Sequence, residues 1–190
     1  MFDKGERINL SGLHSERIML RLMEKLDEER VWSILSDHQS LHSAVICKDH
    51  SYYQSKKILD QILSRDVDHN VHFGICSGNR HELIGVVSLQ HWNRIESVAT
   101  LGYMLDRLYW GRGLATEAVG ILIKFGFEEL GLDAIEGKCH EDNMASAKVM
   151  IKNGFTWNRM HPERYGSDRP TSKINIFSLS AACYQRNREK

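Results

Sequence analysis

Trp110-Gly111-Arg112-Gly113-Leu114-Ala115-Thr116-Glu117-Ala118-Val119-Gly120-Ile121-Leu122-Ile123-Lys124-Phe125-Gly126 is the stretch that decides the fold. A β-type run, Val98 to Leu105, leads into it, and Gly111 and Gly113 turn the chain about Arg112 straight into a helical pattern. Leu114, Ala118, Ile121, Leu122 and Phe125 recur there at helical spacing. Such a loop aims successive backbone N–H groups at one point while the helix N-terminus adds partial positive charge, so the place suits a phosphate or pyrophosphate. Strand, Gly-x-Gly, helix is also a common structural turn, and the residues alone leave both readings open. The recognised nucleotide loops do not fit. There is no G-x-x-x-x-G-K-[ST], and a G-x-G-x-x-G begun at Gly111 meets Thr116 where its third glycine would stand.

Outward from this loop the chain alternates between two rhythms. Ile18 to Leu22 reads as a short strand, Glu24 to Leu35 as a helix, and Ser51 to Asp66 as a second helix with Ile58, Leu59, Ile62 and Leu63 on its apolar face. Asp37 to Asp49 has the composition of a loop. His38 and His42 within it lack a third ligand and make no metal site. Val71 to Cys76, Glu82 to Gln90 and Val98 to Leu105 form a predicted β-meander ahead of the Gly loop. After Gly131, Ala134 to His140 reads as a strand. Asp142 or Asn143 then caps a helix through Ile151 or Lys152, and Phe155 to Met160 and Ile174 to Leu179 read as final strands around a polar segment. The order contains no internal repeat and no linker, which predicts one domain over residues 1–190.

Three segments in order carry a family resemblance. Trp110-Gly111-Arg112-Gly113-Leu114-Ala115 resembles the Q/R-x-x-G-x-G/A acyl-CoA loop of the GNAT N-acetyltransferase superfamily, in the variant of its RimJ/RimL-like branch. Asn143-x-x-Ser146 with Lys152-Asn153-Gly154-Phe155 is similar to the second half of that signature, and Leu20-Arg21-Leu22 after Glu16-Arg17 to an upstream part. The resemblance runs from about Leu13 to Phe155. It implies an α/β (α+β) fold with a mixed, mainly antiparallel central sheet flanked by helices. A bulged strand, Val98 to Leu105, would splay from Ala134 to His140 and leave a slot for acyl-CoA. The cofactor contacts it implies are Leu105, Trp110, Gly111, Arg112, Gly113, Leu114, Ala115, Thr116, Asn143 and Ser146, with acetyl-CoA as cosubstrate and no metal.

Acyl transfer to an amine needs a neutral nucleophile, a stabilised oxyanion and a protonated leaving thiolate. The family's usual tyrosine acid, five residues before the phenylalanine of Gly-Phe, is Met150 here. By resemblance to the same branch Ser146 takes its place beside the sulfur, with hydrogen bonding back to the helix N-terminus as the plain alternative. Relatives' acidic positions fall on Thr100 and Tyr165, which leaves Glu163, His161 or His140 as expected proton relays, Glu163 first. Glu117, beside the loop, reads as a helix-end and surface charge.

The expected reaction is direct transfer from acetyl-CoA to a primary amine in a ternary complex. A protein N-terminal α-amine is the first acceptor class by resemblance. A polyamine, drug or amino-acid derivative is the alternative, and a non-catalytic acyl-CoA sensor is a second, because Met150, Thr100 and Tyr165 stand at altered acid–base positions. The resemblance makes Tyr52 and Tyr53 candidates to shape the amine pocket, with tyrosines packed at a helix edge and hydroxyls in water as the plain alternative, and Asp37, Asp49, Asp66 and Asp68 are available to a small-molecule amine.

Bulk numbers limit the remaining classes. Forty-two per cent hydrophobic residues and two prolines in 190 residues fit one packed core. Twenty-five basic and twenty-five acidic residues cancel, so no global field recruits nucleic acid or an anionic membrane. Met1 to Asn9 carries no apolar leader, no run approaches a membrane span, and the four cysteines form no C-x-x-C pair, which together predict a cytoplasmic protein. A homodimer through the exposed sheet end, using Trp157 or Phe177, is a further expectation.

Overall fold

The computed structural model describes residues 13–37, 52–64, 69–78, 82–164 and 170–189. Its elements are β1 (Ile18–Leu22), α1 (Glu28–Ser36), α2 (Tyr52–Leu63), β2 (Val71–Ser77), β3 (Glu82–Asn93), β4 (Val98–Leu105), α3 (Leu114–Glu128), β5 (Ala134–His140), α4 (Met144–Lys152), β6 (Thr156–Arg164), β7 (Pro170–Ser180) and α5 (Ala181–Arg188). The strands form one sheet in the order β1-β2-β3-β4-β5-β7-β6. Every pair is antiparallel except β4 with β5. The mixed, mainly antiparallel sheet expected from the sequence is the observed one.

Alternation along the strands sorts side chains to two faces. On one, Phe73, Val87, Leu89 and Ile135 pack against Ala118, Leu122 and Phe125 of α3. Phe73 meets Phe125 edge-on at 5.3 Å. On the other, Cys76, Leu83, Val86 and Met104 pack against Val31, Leu35, Leu59 and Ile62 of α1 and α2. Between Ile75–Gly85 and Cys76–Leu83 the register skips Ile84, and this extra residue on β3 places Leu83 and Val86, three apart, on the same face. Each fully buried Leu, Ile or Phe contributes about 1.5–3 kcal/mol, so both layers of helix are held by the sheet rather than by each other.

Three elements depart from the sequence reading. β3 runs on to Asn93 past a register shift between Gln90 and Asn93, with His91 at φ 52°. The irregularity therefore sits on β3, whereas β4 pairs without a break from Thr100 to Leu105. The segment His161 to Lys173 was expected to be polar loop, but β6 and β7 extend into it as a long hairpin. An edge strand need not be apolar, and hydropathy hides it. α5 was not foreseen, because Ala-Ala-Cys-Tyr-Gln-Arg-Asn-Arg has no apolar stripe. Tertiary contacts hold it: Tyr184 stacks on Phe127 at 4.9 Å, Arg188 pairs with Glu128, and Ser180 Oγ accepts from Cys183 N–H at its start.

Candidate active site

The site grows from the place where β4 and β5 part. Their parallel ladder holds four pairs, from Val98–Ala134 to Leu101–Gly137, and stops, although both strands continue. Asp106 N–H donates to Ile84 C=O (2.8 Å), and the β3–β4 register is continuous up to it. By antiparallel alternation, even-numbered residues of β4 point their backbone groups at β3, while Tyr103 and Leu105 point theirs at β5. With the ladder ended, those groups edge a gap. Trp110 Nε1–H takes the carbonyl of Leu105 (2.8 Å) and folds the loop back over the strand end.

The Gly loop closes one end of this gap. Gly113, the N-cap of α3, has φ 77°, and Gly111 has φ 72°. Any residue with a Cβ is strained there by about 1–2 kcal/mol, which adds a backbone reason for these glycines. Arg17 ties the loop down. Its Nη1 donates to Arg112 C=O (2.9 Å) and its Nη2 pairs with Glu117, which also accepts from Ser15 Oγ. Glu117 is thus a strut between the approach to β1 and the loop. Arg112 is exposed and lies over the Tyr109 ring at 5.5 Å.

A slot of about 340 Å³ opens between the loop, β4 and α4. Leu105, Trp110, Gly111, Gly113, Leu114, Ala115, Thr116 and Ser146 line it, which brings together eight of the ten expected contact residues. Arg112 and Asn143 do not line it. Asn143 instead caps α4, its Oδ1 accepting from Ser146 N–H (2.9 Å). Lys148 and Lys152, one turn apart on α4, also line the slot and add positive charge facing the N-terminus of α3. The sequence reading missed them, although their i, i+4 spacing beside Asn143-x-x-Ser146 was legible.

A second cavity, of about 220 Å³, lies on the other face of the sheet under α2. Its walls are Ile58, Gln61 and Ile62 of α2 and the strand residues His72, Ser88, Gln90, Thr100 and Gly102, with Lys138 on β5. The two cavities share Tyr103 and Ser146. Ser146 is 5% exposed. Tyr103 Oη donates to the Ser146 carbonyl (3.4 Å), and burial pushes this phenol up to about 12, so it stays protonated at any working pH. The sequence reading did not single out Tyr103. Its place at the junction is tertiary.

The other expected residues lie elsewhere. Met150 is buried in the core against Gly137. His140 is buried and lines neither cavity. His161 belongs to edge strand β6, which β7 separates from β5, and lines neither cavity; Glu163 lies on the same strand. The side chains of Glu163, Tyr52 and Tyr53, and all of Tyr165, His38, His42, Cys47, Asp49, Asp66 and Asp68, lie outside the described residues. Asp37 approaches Arg107 at 3.9 Å. Among the described lining residues of the second cavity there is no carboxylate.

An anion seat at a helix N-terminus, two lysines, a strand edge offering backbone groups and a junction of two cavities is a set suited to acyl-CoA on one side and an acceptor on the other. Residues 17–156 match the Acetyltransferase (GNAT) domain family. The chain belongs to this family. It is an acetyl-CoA-dependent acetyltransferase. It is 32% identical over 169 residues to the Probable N-acetyltransferase YjcK of Bacillus subtilis, covering 86% of this chain and 90% of that one. A shorter likeness, 35% over 74 residues, links 39% of the chain to 41% of the ribosomal-protein-serine acetyltransferase of Escherichia coli. In fold it is similar to the spermidine N-acetyltransferase of Vibrio cholerae solved with CoA and spermine. That match has a TM-score of 0.75 and 16% identity, and covers 90% of this chain and 99% of that one. No described helix of this acetyltransferase is long and apolar enough to cross a membrane.

Proposed function

We propose that this acetyltransferase acetylates the primary amine of a small molecule by direct transfer from acetyl-CoA in a ternary complex, in preference to the protein N-terminus that the sequence put first. The observation that carries the reading is the walled acceptor cavity of about 220 Å³ meeting the acyl-CoA slot at Tyr103 and Ser146. A recess of that size beneath α2 suits a compact ligand. The spermidine N-acetyltransferase with a similar fold acts on a small amine, and the ribosomal-protein relative shares well under half of the chain.

In this reading the backbone N–H groups at Gly113 to Ala115, with Lys148 and Lys152, hold the diphosphate and neighbouring phosphate oxygens of acetyl-CoA. Tyr103 and Leu105 offer their backbone edge to the amides of its arm. Ser146 and Tyr103 stand where the acetyl group meets the acceptor, and their hydroxyls stabilise the developing oxyanion and return a proton to the departing sulfur. Asn143 acts by fixing the first turn that carries Ser146. The acceptor loses its proton to water before attack, and Glu163 is given no proton to carry.

The test is CoA-thiol release with acetyl-CoA and separate pools of small amines and N-terminal peptides, beside Gly113→Glu. Turnover of small amines that vanishes in the variant is expected. Turnover confined to the peptide pool would restore the protein N-terminus as acceptor.

A further inference from the structure

His72 occupies the end of the acceptor cavity farthest from the transfer point. The registers set His72 of β2 opposite Ser88 of β3, and Ser88 opposite Gly102 of β4, so the three form one row across the sheet face covered by α2. Two strand spacings make that row about 10 Å long. Its near end, Gly102, adjoins Tyr103, where the two cavities meet. The middle of the row is already engaged: Gln90 Nε2 donates to Ser88 Oγ (2.7 Å), and Ser88 Oγ donates to Gly102 C=O (3.4 Å).

The far end is not engaged in the same way. His72 is 9% exposed, lies among Ile58, Ile62 and Val86, and its Nδ1 is sealed from solvent with no hydrogen-bond partner among the described residues. Buried polar groups are almost always paired, so an exception calls for an explanation. Burial holds the imidazole well below its usual range, at about 4, so the ring is neutral and carries one hydrogen. A sealed N–H without an acceptor is rarer and costlier than an unfilled lone pair. The hydrogen therefore belongs on Nε2, the nitrogen left to face an occupant of the cavity. As a donor it asks for an oxygen. The absence of a carboxylate among the described lining residues leaves nothing there to hold a second ammonium and favours the same kind of ligand.

We infer that His72 is a specificity-determining residue for the acceptor, donating from Nε2 to an oxygen that the substrate carries at the end opposite its reacting amine. The preferred acceptor is then a primary amine bearing a far-end carboxylate, amide or hydroxyl oxygen, and not a diamine or polyamine. This rests on the small-amine reading above.

The experiment compares kcat/KM for three matched series of increasing length: alkylamines, diamines, and amines ending in a carboxylate, amide or hydroxyl. They are measured on the wild type, His72→Phe and His72→Gln. At the length that spans the cavity, the wild type should prefer the oxygen-ended amine over the alkylamine and the diamine by at least about tenfold, one hydrogen bond's worth of discrimination. His72→Phe should collapse that ratio mainly by raising KM for the oxygen-ended amine, and His72→Gln, which keeps an N–H donor, should restore part of it. Acetyl-CoA titration of each variant establishes that it is folded. A wild-type preference for diamines, or an unchanged ratio in folded His72→Phe, overturns the role of His72 while leaving small-amine acetylation standing. Turnover of peptides and of no small amine overturns both.

Discussion

At the scale of single residues, the proposed chemistry turns on Ser146 and Tyr103, because among the described residues they are the pair that lines both cavities. Ser146→Ala and Tyr103→Phe should each lower kcat on the order of 10²-fold, the usual cost of one oxyanion or proton donor. Acetyl-CoA affinity by calorimetry should shift little, and a loss confined to affinity would remove them from the chemistry. His72 makes a separate claim on stability. Its folded pKa of about 4 lies below the ordinary value of 6.5. The stability it contributes is therefore complete above pH 6.5 and is lost as pH falls toward 4. Between pH 7.5 and 5 the wild type should lose about 2 kcal/mol more than His72→Gln in urea unfolding. Parallel curves for the two proteins would mean that the imidazole is not buried neutral. Ser146 was legible from the Asn143-x-x-Ser146 spacing. His72 was not, since one histidine in an apolar run carries no signal of its own.

At the scale of elements, the two cavities meet at Tyr103, just past the point where the β4–β5 ladder ends, and Gly137 stands at the last paired position. A Cβ there would come within 2.3 Å of Met150 Sδ, so the glycine lets α4 settle against the strand where the ladder ends. Gly137→Ala should cost about 1–3 kcal/mol by overpacking, and clearly less in a Met150→Ala background. Urea denaturation of the four proteins measures the coupling, and equal costs in both backgrounds would refute the contact. Met150 shows how a sequence position can mislead. Judged against the family's tyrosine it looks like a missing acid, whereas in the fold it is core. The start of the chain is fixed just as locally: Arg21 grips Asp27 through both carboxylate oxygens (2.8 and 2.6 Å). Burial alone would raise that carboxyl, but the guanidinium and the Glu24 N–H outweigh it and hold it below the usual range. Asp27→Ala should destabilise by about 3–5 kcal/mol in the same assay, since it strands a half-buried cation. A loss below 1 kcal/mol would show the pair to be dispensable.

For the whole molecule, a balanced charge leaves no long-range field, and in the proposed site acetyl-CoA binding depends on the local seat at the N-terminus of α3. Acetyl-CoA at about 100 times its Kd should add about 2.7 kcal/mol to the folded state, or roughly 5–10 °C in Tm for a chain of this length. Gly113→Glu should abolish the shift, and a full shift in that variant would move the binding site elsewhere. The expected dimer contact needs one correction. Phe177 is 3% exposed and packs in the core between β5 and β6, so it cannot meet a partner. Trp157, on edge strand β6, is 57% exposed and keeps that expectation open to a measurement of mass in solution.

The sequence by itself determined the order of most elements, the Gly loop with its helix, and a cap at Asp142 or Asn143. Each rests on local causes: apolar periodicity, φ values that only glycine accepts, and a side chain bonding three residues ahead. It also sufficed for the family, because the loop, Asn-x-x-Ser and Gly-Phe occur in order at fixed distances. Only the tertiary structure decided that β4 and β5 part after Leu101 and Gly137, that Tyr103 joins Ser146 at the opening, and that His72 lies two strands away in the same cavity. Those facts depend on register between segments distant in the chain. Register is set by the packing of both sheet faces at once, which no local pattern encodes.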